Sequence, residues 1–289
     1  MHTPAYHLWR ITSMKEIESN KHAWGQISAE HYETFKQRLF DGSHKLNKYI
    51  LDELGDLSGK DIIHLQCNTG ADTILLAKMG ASAVGVDLVP DNILYARKLA
   101  EDFGVNNASF IESDIMEFME KYNEKYDVVF VLEGAIGWLP DLTKWAQTIR
   151  HLLKEDGFFY IFESHPIILM FDEEKLAEGE TIIKYPYFET KPDVDLTIGG
   201  YASEPKGGVK AYFWQYKISD VINSLISAGL KIEFLNEFTE NFFDAGGCEK
   251  IGDGLYNYPF NTNLFPMSFS LNNKTLSHSP TSSGWFGSY

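Results

Sequence analysis

Three side chains stand at the ends of apolar runs, where they could bind a nucleotide or exchange a proton. Asp87 ends the run Ala83–Val86 and follows Gly70 by 17 residues. An acid in this place after a glycine turn typically accepts hydrogen bonds from ribose hydroxyls. Glu133 and His165 follow two later apolar runs, and either could serve as the base that a protonated nucleophile requires.

The elements that must position Asp87 form a strand, a turn, a helix and a second strand. Residues 61–65 carry Ile62, Ile63 and Leu65 and predict a buried strand. Residues 68–70, Asn-Thr-Gly, form a turn signal, and residues 71–79 predict a helix that ends at a glycine. This order predicts the beginning of a βαβ nucleotide-binding unit.

The turn in this unit has an unusual sequence, HLQCNTG, between residues 64 and 70. It resembles motif I of the class I S-adenosylmethionine-dependent methyltransferases, commonly written D-x-G-x-G-x-G. Gly70 keeps the last glycine, but His64 replaces the acid. Gln66 and Asn68 replace the other two glycines, and asparagine tolerates the left-handed backbone that glycine adopts. Any contact normally made by the acid must come from another residue, the imidazole or a water.

Later segments resemble the same family in order and spacing. Residues 110–114 look like the third strand and its acidic position, and residues 126–132 look like the fourth strand. Residues 153–162 resemble the turn and the fifth strand, and residues 212–271 match more loosely. The resemblance implies an α/β, Rossmann-like, doubly wound and mostly parallel seven-stranded sheet. It also implies an antiparallel last strand, here expected at residues 265–271.

Changes of pattern along the chain predict five segments. Helical spacing over residues 24–40 and 43–54 predicts N-terminal helices, whereas residues 1–25 are irregular in composition. The aromatic-rich, turn-rich part is expected to form short antiparallel strands or a lid. The segments are an N-terminal helical cap (1–55), a cofactor-binding core (56–165), an insertion or lid (166–215), a C-terminal helix with strands (216–271) and a tail (272–289).

The resemblance also implies the cofactor, S-adenosyl-L-methionine, and the residues around it. Asp87 would bind the ribose hydroxyls, and Asp114 would accept a hydrogen bond from the adenine amino group. The alternatives are that Asp87 merely ends a strand and that Asp114 caps a helix. The residues expected at the cofactor are His64, Gln66, Cys67, Asn68, Gly70, Asp87, Leu88, Asp114, Ile115 and Glu133.

The sulfonium of this cofactor makes its methyl group electrophilic without help from the protein. The enzyme then mainly holds the acceptor in line and excludes water. Glu133 and His165 are the catalytic candidates, although His165 could instead be hydrogen-bonded within its turn. Aromatic side chains in and near the insertion could bind a cationic or aromatic acceptor, or could simply pack together. The expected substrate-pocket residues are Trp138, Tyr185, Tyr187 and Trp214.

The composition indicates which class of methyl acceptor to expect and where in the cell the protein is expected. The net charge of −16 over 289 residues argues against a nucleic-acid acceptor, which requires clustered lysine and arginine. No run of 18 apolar residues and no apolar leader segment is found, so no membrane association is expected. The two cysteines form no C-x-x-C pair, which predicts no metal site and a reducing, cytoplasmic setting. A monomer or a homodimer is expected.

The leading hypothesis is a methyltransferase that transfers a methyl group to O, N or C of a small molecule. A catalytically degenerate methyltransferase fold that only binds a partner is an alternative, motivated by the changes at His64, Gln66 and Asn68. An NAD-dependent oxidoreductase is a further alternative. The absence of the G-x-G-x-x-G fingerprint counts against it.

Overall fold

A seven-stranded sheet forms the centre of the computed structural model, which describes residues 4–252 and 254–275. The strands of this sheet are β1 (Asp61–Leu65), β2 (Ser82–Asp87), β3 (Ala108–Glu112), β4 (Tyr126–Leu132), β5 (Leu153–Ser164), β8 (Leu230–Phe238) and β11 (Ser268–Thr275). Their order is β3-β2-β1-β4-β5-β11-β8. The pairs among β1 to β5 are parallel, and β11 is antiparallel to both β5 and β8. This topology confirms the predicted fold class.

Helices cover both faces of the sheet. They are α1 (Pro4–Gly25), α2 (Ser28–Phe40), α3 (Lys48–Leu54), α4 (Ala71–Lys78), α5 (Pro90–Asp102), α6 (Phe118–Lys121), α7 (Leu142–Leu152), α8 (Glu173–Ala177) and α9 (Ile218–Ser227). Strand β4 shows why two layers are required. Val129 and Val131 pack with α7 and α9 on one face, whereas Val128 and Phe130 pack with α3 and α4 on the other. Alternation along a strand buried on both faces produces this division.

The insertion contains a two-stranded antiparallel hairpin, β6 (Asp193–Ile198) and β7 (Lys206–Phe213). A second small hairpin joins β9 (Glu249–Gly252) and β10 (Leu255–Asn257). Helix α1 packs along β7, and the side-chain amide of Asn20 exchanges two hydrogen bonds with the backbone of Tyr212. The N-terminal helix and the insertion are therefore joined by hydrogen bonds and packing.

Residues 4–25 form a regular helix within the predicted N-terminal helical cap, although their composition is irregular. This helix, α1, packs against β7, which lies far away in sequence. The boundary of the last strand differs from the sequence prediction. The last strand runs from Ser268 to Thr275 rather than over residues 265–271, since it pairs with β8 over residues 268–275 and with β5 over residues 268–274. The predicted tail therefore begins inside β11, and residues 276–289 lie outside the described part of the chain.

Candidate functional site

A cavity of about 1350 Å³ lies at the carboxyl ends of β1, β2, β4 and β5. Gln66, Asp87, Glu133 and Ser164 line it from the ends of these four strands. Side chains of α1 and α2 and the residues of the β6–β7 hairpin cover it from above. Ligands bind at this edge of open α/β sheets, so the cavity is the candidate site.

The turn after β1 has the backbone of a glycine-rich loop although it keeps one glycine. Gln66, Asn68 and Gly70 have φ angles of 58°, 51° and 79°. The left-handed conformation predicted for Asn68 is confirmed, and Gln66 adopts it as well. Gly70 does not line the cavity; a Cβ there would lie 2.6 Å from the ring of Phe110. Its function in the structure is to let the turn pack on β3, rather than the cofactor contact expected from the sequence.

Asp87 fixes this turn from the end of β2. Its Oδ2 accepts a hydrogen bond from the backbone N–H of Asn68 at 2.9 Å. Its Oδ1 accepts from the N–H of Val89 at 2.9 Å and from the amide of Asn92 at 3.1 Å. The side chain lines the cavity, and burial raises the pKa of Asp87 to about 6. The Asp87 carboxylate therefore both orients the motif I turn and lies where a ligand in the cavity could contact it.

The expected adenine region lies beside Asp87. Asp114, Ile115 and Leu88 all line the cavity. Asp114 Oδ1 accepts from the N–H of Met116 at 2.8 Å, and burial raises the pKa of its carboxyl group. Helix α6 begins only at Phe118, so Asp114 closes a local turn and is not the cap of that helix.

His64 and Cys67 lie at the floor of the cavity. His64 Nδ1 lies 2.9 Å from the hydroxyl of Thr73, and burial lowers the pKa of the imidazole to about 4. The ring is therefore neutral at neutral pH. Cys67 is buried, and burial raises the pKa of its thiol well above the usual range, so the thiol is protonated.

Two glutamates lie side by side at the ends of β4 and β5. Glu163 accepts hydrogen bonds from the N–H groups of Gly134, Ala135, Ile136 and Ser164 at 2.6 to 3.2 Å. Glu133 accepts from the Ser164 hydroxyl at 3.1 Å, while its Oε2 is buried without a partner among the described residues. Burial, followed by the nearby Glu163, raises the pKa of Glu133 well above its usual range. Of these two glutamates, Glu133 is thus the one with an oxygen that accepts no hydrogen bond from the described residues.

His165 is not among the residues that line the cavity. Its Nδ1 accepts from the N–H of Ile167 at 3.1 Å, and its Nε2 lies 2.9 Å from Glu237 Oε1 on β8. Nδ1 is therefore engaged in the turn after β5, whereas Nε2 is buried close to Glu237 without a hydrogen bond among the described residues. The structure supports the alternative interpretation of His165 as a hydrogen-bonded turn residue.

Three of the four expected aromatic residues line the cavity: Trp138, Tyr185 and Trp214. Trp138 packs edge-to-face against Trp24 of α1 and Phe213 of β7. Tyr187 does not line it; its hydroxyl accepts from the N–H of Ile218 at the start of α9. The fourth aromatic residue therefore supports the insertion from outside.

Several cavity residues were not selected from the sequence. Thr69 and Asp72 belong to the motif I turn and the first turn of α4, and His44 precedes α3. An acid directly after the glycine turn was a usable signal for Asp72. Tyr201 reaches the turn from the insertion, and its hydroxyl accepts from the Asn68 amide at 3.3 Å. The sequence offers Tyr201 among the aromatic residues of a possible pocket, but its contact with Asn68 appears only in the folded chain.

Unpartnered polar atoms indicate that the cavity fits a polar ligand. Within the described ranges, Thr69 Oγ1, Gln66 Oε1 and Glu133 Oε2 are buried without hydrogen-bond partners. All three residues line the cavity. Buried polar atoms normally find partners, so three at one site point to contacts that a ligand would complete.

Comparisons with known proteins agree with this geometry. Residues 56–187 match the family model described as a methyltransferase domain. A ubiquinone biosynthesis O-methyltransferase of Glaesserella parasuis is 29% identical over 42% of this chain and 54% of the relative. A protein of Clostridium tetani named as an uncharacterised RNA methyltransferase is 25% identical over 57% of this chain and 36% of the relative. The chain thus spans about a third to a half of the length of these curated relatives.

The crystal structure of an S-adenosylmethionine-dependent methyltransferase from Clostridium acetobutylicum has a similar fold. The TM-score is 0.51 and the identity 15%, over 84% of this chain and 92% of the other. Within the described residues, no helix has both the length and the apolar character needed to cross a membrane. The chain therefore carries a methyltransferase domain with the fold of the class I S-adenosylmethionine-dependent methyltransferases.

Proposed function

We propose that this protein transfers the methyl group of S-adenosylmethionine to a small molecule. The observation that carries this proposal is the placement of Asp87, Asp114 and the motif I turn around one cavity with unpartnered polar atoms. Asp87 would bind the ribose hydroxyls, and Asp114 the adenine amino group beside Ile115. The cofactor supplies an electrophilic methyl group, and the protein supplies its position and a dry environment.

The size of the cavity and the net charge of the chain support a small acceptor. A single drug-sized ligand occupies a pocket of about 300–1,000 Å³, and this cavity of about 1350 Å³ exceeds that range. It therefore has room for the cofactor and an acceptor together. The net charge of −16 disfavours a polyphosphate acceptor such as RNA. Trp138, Tyr185 and Trp214 offer aromatic walls for the acceptor.

Calorimetric titration of the purified protein tests the cofactor assignment. We expect S-adenosylmethionine and S-adenosylhomocysteine to bind with micromolar dissociation constants and NAD to show no heat of binding. Binding of NAD alone would indicate an oxidoreductase. Absence of binding for all three would indicate a degenerate fold. Turnover assays with amines, phenols, carboxylic acids and total RNA would then identify the acceptor by the release of S-adenosylhomocysteine.

Glu133 is our proposed proton acceptor, because its Oε2 is buried at the carboxyl end of β4 without a partner among the described residues. The raised pKa of its carboxyl group makes the deprotonated form a strong base. Once an acceptor is known, Glu133→Gln should lower the rate of methyl transfer by about 100-fold or more, as loss of a general base does. Affinity for S-adenosylhomocysteine should remain within about a factor of two, because the amide keeps the side-chain volume.

Glu173→Gln is the matched control for Glu133, since Glu173 lines the same cavity from α8. Its transfer rate should stay close to that of the unmodified protein. An unchanged rate in Glu133→Gln would remove Glu133 as the base. Equal losses in both variants would point to a general electrostatic effect of the cavity instead.

A further inference from the structure

The motif I turn lacks a negative charge at position 64, and this raises a question about the cofactor's amino-acid end. That end carries a carboxylate and an ammonium group, so a charged acceptor is needed near the turn. His64 is neutral, and its Nδ1 is occupied by the Thr73 hydroxyl at 2.9 Å. The imidazole therefore does not replace the missing acid.

Most carboxylates that line this part of the cavity are already engaged. Asp87 accepts three hydrogen bonds from the protein, and Glu163 accepts four. Asp72 differs, because His44 Nε2 meets only its Oδ1, at 2.9 Å. Burial alone would raise the pKa of Asp72, but His44 and then His64 hold it below its usual value. Asp72 is thus a charged carboxylate in the first turn of α4.

A neighbouring atom independently points to a ligand at this place. Thr69 is completely buried and lines the cavity, yet its Oγ1 has no partner in the described part of the chain. Thr69 immediately precedes Gly70, which is the N-cap of the eight-residue helix α4. A helix N-terminus and a free hydroxyl favour a bound carboxylate. Donors for the carboxylate of an amino acid and an acceptor for its ammonium group therefore lie within four residues, from Thr69 to Asp72.

His44 connects this site to the N-terminal segment. It lies between α2 and α3, its ring packs edge-to-face against Phe35 at 5.0 Å, and its side chain is 17% exposed. Because His44 donates to one carboxylate oxygen, it fixes the orientation of Asp72 and leaves the other oxygen for a ligand. The N-terminal segment is thus part of the cofactor site as well as its cover.

We propose that Asp72, oriented by His44, binds the ammonium group of the cofactor's amino-acid end. Thr69 and the start of α4 bind the carboxylate of the same end. This assignment rests on the proposed function, because it requires the cofactor to be S-adenosylmethionine.

A comparison of two ligands distinguishes the contribution of the amino-acid end to binding from that of the nucleoside. S-adenosylhomocysteine has both parts, whereas methylthioadenosine has the nucleoside and thioether without the amino acid. Asp72→Asn should bind S-adenosylhomocysteine about 10- to 100-fold more weakly, the effect of losing one hydrogen bond to a charged group. Its affinity for methylthioadenosine should be unchanged. Asp87→Asn should weaken both ligands, since ribose is common to them.

Variants of His44 test whether this residue positions Asp72. His44→Ala should weaken S-adenosylhomocysteine but not methylthioadenosine, and His44→Gln should recover most of the affinity because its amide can still donate to Asp72. Retained methylthioadenosine affinity shows in each case that the site is folded. Equal affinity of Asp72→Asn and the unmodified protein for S-adenosylhomocysteine would overturn the assignment. Failure of the unmodified protein to bind either ligand would instead overturn the proposed function.

Discussion

Asp87→Ala should lose at least about 100-fold in affinity for S-adenosylhomocysteine. Two hydrogen bonds from ribose hydroxyls to a charged carboxylate contribute about 1.5–3 kcal/mol each, and 1.4 kcal/mol corresponds to a factor of ten. The same carboxylate holds the N–H groups of Asn68 and Val89 and the amide of Asn92. The variant therefore loses both the ligand contact and the orientation of the motif I turn. Calorimetric titration at pH 7.5, above the pKa of about 6, measures the loss.

Asp91→Ala is the matched control for this experiment. Asp91 lies four residues further along the chain in the first turn of α5, is exposed, and does not line the cavity. Its variant should bind the ligand as the unmodified protein does. If Asp87→Ala kept its affinity while the control behaved as expected, the ribose assignment would be wrong.

Glu163→Ala should destabilise the protein by about 2–4 kcal/mol, because buried N–H groups would lose their acceptor. Glu163 is 3% exposed and receives four backbone hydrogen bonds, three of them from residues 134–136. These residues follow β4 and line the cavity, so affinity for S-adenosylhomocysteine should fall as well. Urea unfolding gives the free energy of unfolding.

Two further variants serve as controls for the stability of Glu163→Ala. Glu163→Gln keeps one acceptor oxygen, so its loss of stability should lie between that of the alanine variant and zero. Glu155→Ala removes an exposed glutamate from the same strand and should change the free energy of unfolding by less than about 0.5 kcal/mol. A Glu163→Ala protein as stable as Glu155→Ala would show that the four hydrogen bonds contribute nothing net.

The features predicted well from the sequence depend on neighbours along the chain. Strand β4 occupies the predicted residues 126–132, and the first strand the predicted residues 61–65. Residues 61–65 are a short apolar run next to a turn signal, which favours a buried strand, and residues 126–132 are predicted from their resemblance to the family's fourth strand. The left-handed conformation of Asn68 is similarly local, because it follows from the steric tolerance of asparagine within a tight turn.

The features that escaped prediction depend on residues far apart in sequence. In the sequence, Glu163 is simply an acid at the end of an apolar run. Its hydrogen bonds to the N–H groups of residues 134–136 form only because β4 and β5 pair. His165 reads as a base candidate until β8 brings Glu237 to its ring. The packing of helix α1 against β7 likewise joins segments that are far apart in sequence. Nothing in the local pattern of residues 1–25 specifies that contact.

The contact between α1 and β7 also protects the chain from association through its own hairpin. A two-stranded hairpin leaves backbone donors and acceptors free along its outer edges, and such edges pair readily with other strands. Here the Asn20 amide takes both backbone groups of Tyr212, and the Ser19 hydroxyl takes the carbonyl of Lys210. Two side chains of a helix thus imitate a neighbouring strand. The outer edge of β7 is closed at these positions to the strand-to-strand aggregation that an uncovered hairpin would invite.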